Sequence, residues 1–444
     1  MNRGNVALFY EMGTGKTAIA LTWIHNHILD GTLDEVLVVG PAPVMDSWSH
    51  AIDKMSMFDG WYPEDIEIMH EVITLRSFGK VWTKDKRTGK YAIRDDIDHH
   101  WDAVIIDESH GLGDHASVQT KACLQLARMT ERRYIMTGTP DNGIYTKLYG
   151  QISFLYPDTW KNWTAFKKRA VLAENKFHKP IAYDVEYCEG LKHRYGIVAR
   201  LRDCVDLPGM TETDVICPLK AKKVYKEVLG GHWEEYHLTC QTAGAVFTKL
   251  LQLVSGHMRS WLPDPSDPNG GPVRDADGHI SMTTVDYKTS KLDALTSLVT
   301  ATDDKVVVFA KFTRSIDQIA DRLCQEHIPY LRFDGSVKDP VWRTFQNDPS
   351  VRVFVTQYQR GGTGIDLYAS HICVYYEPTF SAHLLEQSRA RIMRTGQTEH
   401  CLYYYLTTPG TVEERVWTKV REGVDISTAL LDEWAREDNI RVTE

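Results

Sequence analysis

The sequence predicts an α/β protein: two tandem domains built on parallel sheets, helical insertions, and a helical C-terminal tail. Three observations carry this expectation. The 444 residues exceed one ordinary core and suffice for two domains of about 150–200 residues plus additions. Short buried apolar runs alternate with helical patterns twice along the chain, the rhythm of sheets covered by helices on both faces. The first run, Val6–Tyr10, passes through a glycine-bearing loop directly into a helix.

That stretch reads V-A-L-F-Y-E-M-G-T-G-K-T-A-I-A-L-T-W-I from Val6 to Ile24. Ala18, Ile19, Leu21, Trp23 and Ile24 fit one broad buried helix flank. Gly13 and Gly15, either side of Thr14, let successive N–H groups turn inward as an anion nest. The helix N-terminus adds its free N–H groups and dipole at the same point. Lys16 is placed to reach the outer phosphates of a nucleotide, and Thr17 to offer a hydroxyl to Mg2+. The general phosphate-loop pattern has glycine where this chain has Tyr10. A Gly-x-Gly-Lys-Thr string can also be a plain turn into a helix, so the remaining motifs must decide.

Composition narrows the class. With 43% hydrophobic and 25% charged residues, neither a disordered nor a membrane class is expected. No apolar run approaches the ~20 residues of a membrane helix, and no signal-peptide layout opens the chain. The eight cysteines are scattered without a Cys-x-x-Cys pair, which argues against zinc or a disulfide scaffold and fits a reducing, cytoplasmic compartment. His25/His27 and His99/His100 lack ligand spacing and read as surface or packing residues. The net charge of −9 does not exclude a nucleic-acid partner, because electrostatics act locally. Between Trp160 and Asp203, ten Lys or Arg, Lys176 and Lys179 among them, face five acids.

Residues 1–160 read as the first domain. Glu35–Val39 is a buried strand ending at Gly40-Pro41-Ala-Pro43, Met45–Lys54 a helix, and Glu71–Leu75 a strand. Trp82–Asp98 is a polar excursion turning at Thr88-Gly89. Ala103–Ile106 then delivers Asp107-Glu108-Ser109-His110. Two acids at the end of a buried strand need a cationic partner. A magnesium ion on phosphates supplies one, with Asp107 holding the metal through water and Glu108 orienting or deprotonating the attacking water. Arg133–Met136 ends in Thr137-Gly138-Thr139-Pro140, a hydroxyl pair suited to linking the acids to a second domain.

Residues 161–285 read as a helical protrusion, a linkage and a loop. Tyr145, Tyr149, Phe154, Tyr156, Trp160, Trp163 and Phe166 have the spacing of helix packing rather than base stacking. Ala221–Val254 reads as helical, crossing between the domains. Pro263, Pro265, Pro268, Gly270, Gly271 and Pro272 mark a loop. Asp275-Ala-Asp-Gly278 lacks the ligand spacing and distal Glu of a calcium loop and reads as a hairpin turn.

Residues 286–410 repeat the rhythm: helix Lys288–Leu298, strand Lys305–Ala310, helix Ser315–Leu323, strands Tyr330–Phe333 and Arg352–Thr356. The glycines of Arg360–Leu367 allow close approach to a phosphate, and Asp366 adds a carboxylate. In Gln387–Gln397, Arg391 and Arg394 stand three apart, on one predicted helix face. A planar guanidinium suits the spread charge of a transferring phosphoryl group. Residues 411–444 read as a brace helix and acidic tail.

Taken in order, Glu11–Thr17, Val38–Trp48, Asp107–His110 and Thr137–Pro140 resemble the first-domain motifs of superfamily-two helicases of the Swi/Snf type. Asp107–Ala122 and Leu148–Pro157 follow that family's connecting pattern, and Gln387–Gln397 and Gly410–Glu414 its second half. The resemblance implies two tandem RecA-like domains that use ATP and Mg2+. It implies nucleotide contacts from Gly13, Thr14, Gly15, Lys16, Thr17, Gln387, Gly364 and Asp366, with metal contacts from Thr17 and Asp107. Catalytic roles fall to Lys16, Asp107, Glu108, Arg391 and Arg394. DNA contact or coupling falls to Pro41, Ser47, Trp48, Thr137, Thr139, Thr356 and Gly361.

The implied activity is DNA-dependent ATP hydrolysis driving movement along duplex or branched DNA. The basic segment after Trp160 is then expected to face the groove. A monomer is expected, serving replication or recombination proteins in a bacterial or phage-infected cell. The competing reading is a nucleotide-gated DNA- or protein-binding switch with little hydrolysis; a small-molecule kinase is poorly served by two α/β halves. Two departures stand out. The family places a helix and an adenine-reading glutamine before the cradle, where this chain has a few residues, and Asp366 follows Ile365 where the family has Asn after Leu.

Overall fold

The computed structural model describes every residue except 1–4, 85–88, 142, 175–177, 179, 205, 231, 234–237, 240–241, 262–263, 265, 268–270, 276, 338–340, 362–364 and 439–444. The chain divides into two compact units, Met1–Asp206 and Leu207–Glu444. Each is organised around one six-stranded sheet in which every neighbouring pair runs parallel.

In the first unit the strands are β1 (Asn5–Tyr10), β2 (Val36–Gly40), β3 (Ile73–Ser77), β4 (Ala103–Asp107), β5 (Arg132–Met136) and β6 (Gly196–Ala199), ordered β6-β1-β5-β4-β2-β3. β2 and β4 are buried throughout, as strands covered on both faces must be. Their alternating side chains feed two cores. Val36, Val38, Ile105 and Met136 pack with Leu21, Ile24 and Trp48 from helices α1 (Lys16–Leu29) and α2 (Ala42–Met55) on one face. Leu37, Val39, Val104, Ile106 and Ile135 pack with Leu126 and Phe154 on the other. Parallel strands put all their carboxyl ends on one edge, so the segments after β1, β2, β4 and β5 share that edge.

The second unit orders β7 (Met210–Ile216), β8 (Val306–Ala310), β9 (Tyr330–Phe333), β10 (Val353–Gln357), β11 (Ile372–Tyr375) and β12 (Cys401–Thr407) as β7-β12-β11-β8-β10-β9. Phe309, Tyr358, Tyr375, Tyr403, Tyr405 and Trp417 form a buried aromatic core on one face. Val306, Val308, Val355, Val374 and Leu406 pack against helix Thr313–Gln325 through Ile316 and Ile319 on the other.

The α/β class and both parallel sheets agree with the sequence. The division of the chain differs. Residues 161–206 belong to the first unit, where β6 pairs with β1 and forms the sheet's edge. Residues from Leu207 belong to the second, where β7 pairs with β12 across seven residues. The helices Lys222–Leu229 and Ala243–Val254 lie within the second unit rather than crossing between units. Strand pairing decides this: β6 has only four residues, and β7, M-T-E-T-D-V-I, is too polar to announce itself.

Of the predicted aromatic group, Phe154 and Phe166 are fully buried, and Tyr149, Trp160 and Trp163 pack around Phe166. Asp275–His279 closes a tight turn, with Ala276 outside the described residues. Lys176, Lys179, Pro263, Pro265, Pro268 and Gly270 also lie outside them. Among the described residues, no helix is long and apolar enough to cross a membrane.

Candidate functional site

The carboxyl edge of the first sheet gathers four of the predicted segments. Between β1 and α1, Gly13 and Gly15 adopt φ of 82° and 80°, the left-handed region that favours glycine. No side chain caps α1, and a Cβ on Gly15 would meet nothing within 4 Å. Lys16 folds back across the loop, its Nζ donating to the carbonyls of Tyr10 at 2.9 Å and Glu11 at 3.2 Å. Thr14 Oγ1 donates to Glu11 O at 2.7 Å. The loop's root is held from far along the chain: Glu11 N–H donates to Ala199 O at 3.0 Å, and its carboxylate accepts Leu201 N–H at 2.8 Å.

At the end of β4, Asp107 and Glu108 are both buried. Glu108 takes φ 48°, an uncommon conformation for a side-chain-bearing residue, and turns the chain sharply out of the strand. Its Oε2 lies 3.2 Å from His110 Nδ1 and accepts from Thr137 Oγ1 at 3.4 Å; His110 and Thr137 are 3.1 Å apart. Thr139 N–H donates to Thr137 Oγ1 at 3.2 Å. The hydroxyl pair after β5 is therefore joined to the acid motif within one unit.

Asp107 is held by two donors. Its Oδ1 accepts the Glu108 N–H and its Oδ2 the Trp48 indole N–H, each at 2.8 Å. Burial pushes the Asp107 carboxyl up to about 6, reinforced by the Glu108 charge. The Trp48 bond, the Lys16 charge and the Glu108 N–H pull it back. The Thr17 hydroxyl and Asp107 carboxylate are hard oxygen donors of the kind Mg2+ takes, and a cation beside Asp107 relieves the crowding of two buried acids. The residues present fit that ion.

Several sites grouped with DNA contact prove to be interior. Trp48, Thr137 and Thr356 have no exposed surface. A side chain without surface cannot touch DNA directly. Thr356 Oγ1 donates to Phe333 O at 2.7 Å, and buried Gly361 lies so close that a Cβ there would sit 2.4 Å from Thr356 Cγ2. Pro41, at the head of α2, and Ser47 are partly exposed.

In the second unit, helix Ala382–Arg389 ends before both predicted arginines, so they do not share a helix face. The chain instead turns through Gly396 at φ 100°, and Gln397 Nε2 pins it to the carbonyls of Ser370, Tyr368 and Ile392. The turn still brings the arginines together on one acceptor. Arg391, 3% exposed, donates to Ile365 O at 3.0 Å and to Gln387 O at 3.2 Å. Arg394, more accessible, donates to Ile365 O at 3.3 Å and pairs with Asp366. Gln387 is buried beside His383, its Nε2 2.7 Å from the ring Nε2. Gly364 lies outside the described residues.

Sequence reasoning missed Gln151, whose buried amide joins Ser109 to Pro140, and Glu11 as a loop anchor. Gln151 carried one weak signal, an amide in a mostly apolar helix; Glu11 carried none.

Two family descriptions match this chain: the SNF2-related domain over residues 1–229 and the helicase conserved C-terminal domain over residues 290–396. The Homo sapiens DNA annealing helicase and endonuclease ZRANB3 is similar at 23% identity, covering 98% of this chain and 39% of that protein. The Homo sapiens DNA excision repair protein ERCC-6 is similar at 24% identity, covering 92% of this chain and 30% of that protein. A solved structure, the Sulfolobus solfataricus SWI2/SNF2 ATPase core in complex with dsDNA, aligns at 20% identity with a TM-score of 0.38, covering 98% of this chain and 90% of that one. The chain thus spans well under half the length of these curated relatives.

Proposed function

The chain belongs to the SNF2-related family, and from that membership we propose that it is a DNA-dependent ATPase that moves along duplex or branched DNA. One observation carries the reading. The glycine loop, Lys16, the buried Asp107–Glu108 pair and Thr137 converge on one sheet edge, with the Lys16 charge felt at Asp107.

The residues then divide the work. Loop and helix N–H groups from Gly13 to Thr17 hold phosphate oxygens. Lys16 exchanges its two neutral carbonyl acceptors for a charged phosphate, the stronger partner. Thr17 and Asp107 hold Mg2+, which when bound neutralises phosphate charge. Glu108, buttressed by His110 and Thr137, orients the attacking water or takes its proton. Arg394, which has the accessible guanidinium, meets the charge that develops on the transferred group, with Arg391 supporting the turn that carries it. The cradle belongs to the first unit and the arginines to the second, so each unit carries part of the proposed machinery.

Grip on DNA is through the phosphate backbone, independent of sequence and steeply weakened by salt. The excess of Lys and Arg between Trp160 and Asp203 supports this. The scattered free thiols support a reducing compartment. Measuring ATP hydrolysis with and without duplex DNA at low salt tests the proposal: stimulation is expected, and unchanged turnover overturns it. Glu108→Gln separates a motor from a nucleotide-gated switch, since a motor loses its turnover and a switch has almost none to lose. Comparing fork, four-way junction, plain duplex and protein-blocked duplex then identifies the output.

A further inference from the structure

The indole of Trp48 is fully buried, and its N–H is aimed at one oxygen of Asp107, 2.8 Å away. Neither partner is passive packing. A buried indole N–H must find an acceptor, and a buried carboxylate needs donors; each satisfies the other in a charge-assisted bond. The second oxygen of Asp107 is held by the Glu108 N–H, so the carboxylate plane is fixed by two donors from two elements. One of them comes from the second turn of α2, the helix that begins at Ala42 directly after β2.

The strand ends are equally close. A Cβ built on Gly40 would lie 3.2 Å from Asp107 O and 3.5 Å from its Cβ, so the end of β2 rests on Asp107. Val44 and Ile52, one turn before and one after Trp48, are buried in the same core as Ile105 and Met136. The first half of α2 is thereby keyed to the acid at the end of β4. A shift of α2 along its axis must either carry the Asp107 carboxylate with it or break this bond.

We infer that Trp48 is a positioning residue: its N–H sets the orientation in which Asp107 receives the metal ion that accompanies the nucleotide. This rests on the nucleotide-site reading above. Residues that orient ligating groups from behind typically change metal affinity or activity about 10–100-fold when removed.

The test is the Mg2+ concentration that half-saturates binding of a fluorescent ATP analogue to the full chain, read without turnover. Trp48→Phe keeps an aromatic ring and removes the donor, and should raise that concentration about tenfold or more. It should also lower DNA-stimulated kcat while leaving KM for ATP at saturating Mg2+ little changed. Ile52→Val thins the same core without touching Asp107 and should leave the Mg2+ requirement at the wild-type value. If Trp48→Phe does not fold, Trp48→benzothienylalanine keeps the ring shape and replaces N–H by sulfur. A wild-type Mg2+ requirement in the donor-free variant, or an equal rise in Ile52→Val, overturns the role of Trp48. A wild-type chain that binds the nucleotide without regard to Mg2+ overturns the site reading beneath it instead.

Discussion

Ser109 donates its hydroxyl to Gln151 Oε1 at 2.9 Å, and the Gln151 amide donates in turn to the carbonyls of Pro140 at 2.6 Å and Lys147 at 3.1 Å. The acid motif after β4 and the hydroxyl motif after β5 are thus tied by one side chain with no exposed surface. Gln151→Leu leaves a buried hydroxyl and two carbonyls without that partner, so stability should fall by about 1–3 kcal/mol. Urea denaturation measures the loss, and ATP turnover should drop with it because the segments that carry Glu108 and Thr137 lose the tie between Ser109 and Pro140.

A second buried tie closes the other unit. Lys291 and Glu413 pair with neither side chain exposed; Lys291 Nζ also donates to Tyr376 O at 2.7 Å, and Glu413 Oε2 accepts Thr408 N–H at 3.0 Å. Burial raises the Glu413 carboxyl above its ordinary value while Lys291 pulls it down. Lys291→Met strands a buried carboxylate and should cost about 3–5 kcal/mol, whereas pairing it with Glu413→Leu should recover most of the loss. Denaturation midpoints of the single and double variants decide this.

Stability should also fall in mild acid through His257. Burial pushes its imidazole down to about 4; Asp286 opposes this, and Arg314 and Lys249 reinforce it. The unfolded chain takes up a proton near pH 6.5 that the folded chain refuses until about 4. The contribution is therefore complete above pH 6.5 and lost as pH falls toward 4, up to about 3 kcal/mol. Urea midpoints between pH 7.5 and 4.5 should fall more steeply for wild type than for His257→Gln.

Within the nucleotide site, Lys16→Ala should abolish turnover, measured as phosphate release; retained activity would mean that the cradle lies elsewhere.

Arg394→Ala should slow hydrolysis by about 10³-fold or more while weakening nucleotide binding far less, because its partner charge develops in the transition state. Rapid-mixing hydrolysis beside equilibrium nucleotide binding separates the two, and equal loss of both would count against the role. Arg391→Ala should instead lower the thermal midpoint, since its buried guanidinium bonds the carbonyls of Gln387 and Ile365.

Local order alone determined much of this protein. The glycine loop into α1, the acids closing β4 and the strand rhythm of both sheets are written in neighbouring residues, because turn geometry and side-chain periodicity act over a few positions. Tertiary structure decided what meets what. Trp48 and Asp107 stand 59 residues apart, Ser109 and Gln151 42, and Glu11 and Leu201 190. Such bonds arise only when packing brings distant strands to one edge. For the same reason β6 and β7 found their sheets by pairing rather than by composition, and Arg391 and Arg394 met at Ile365 O through a turn rather than a helix face.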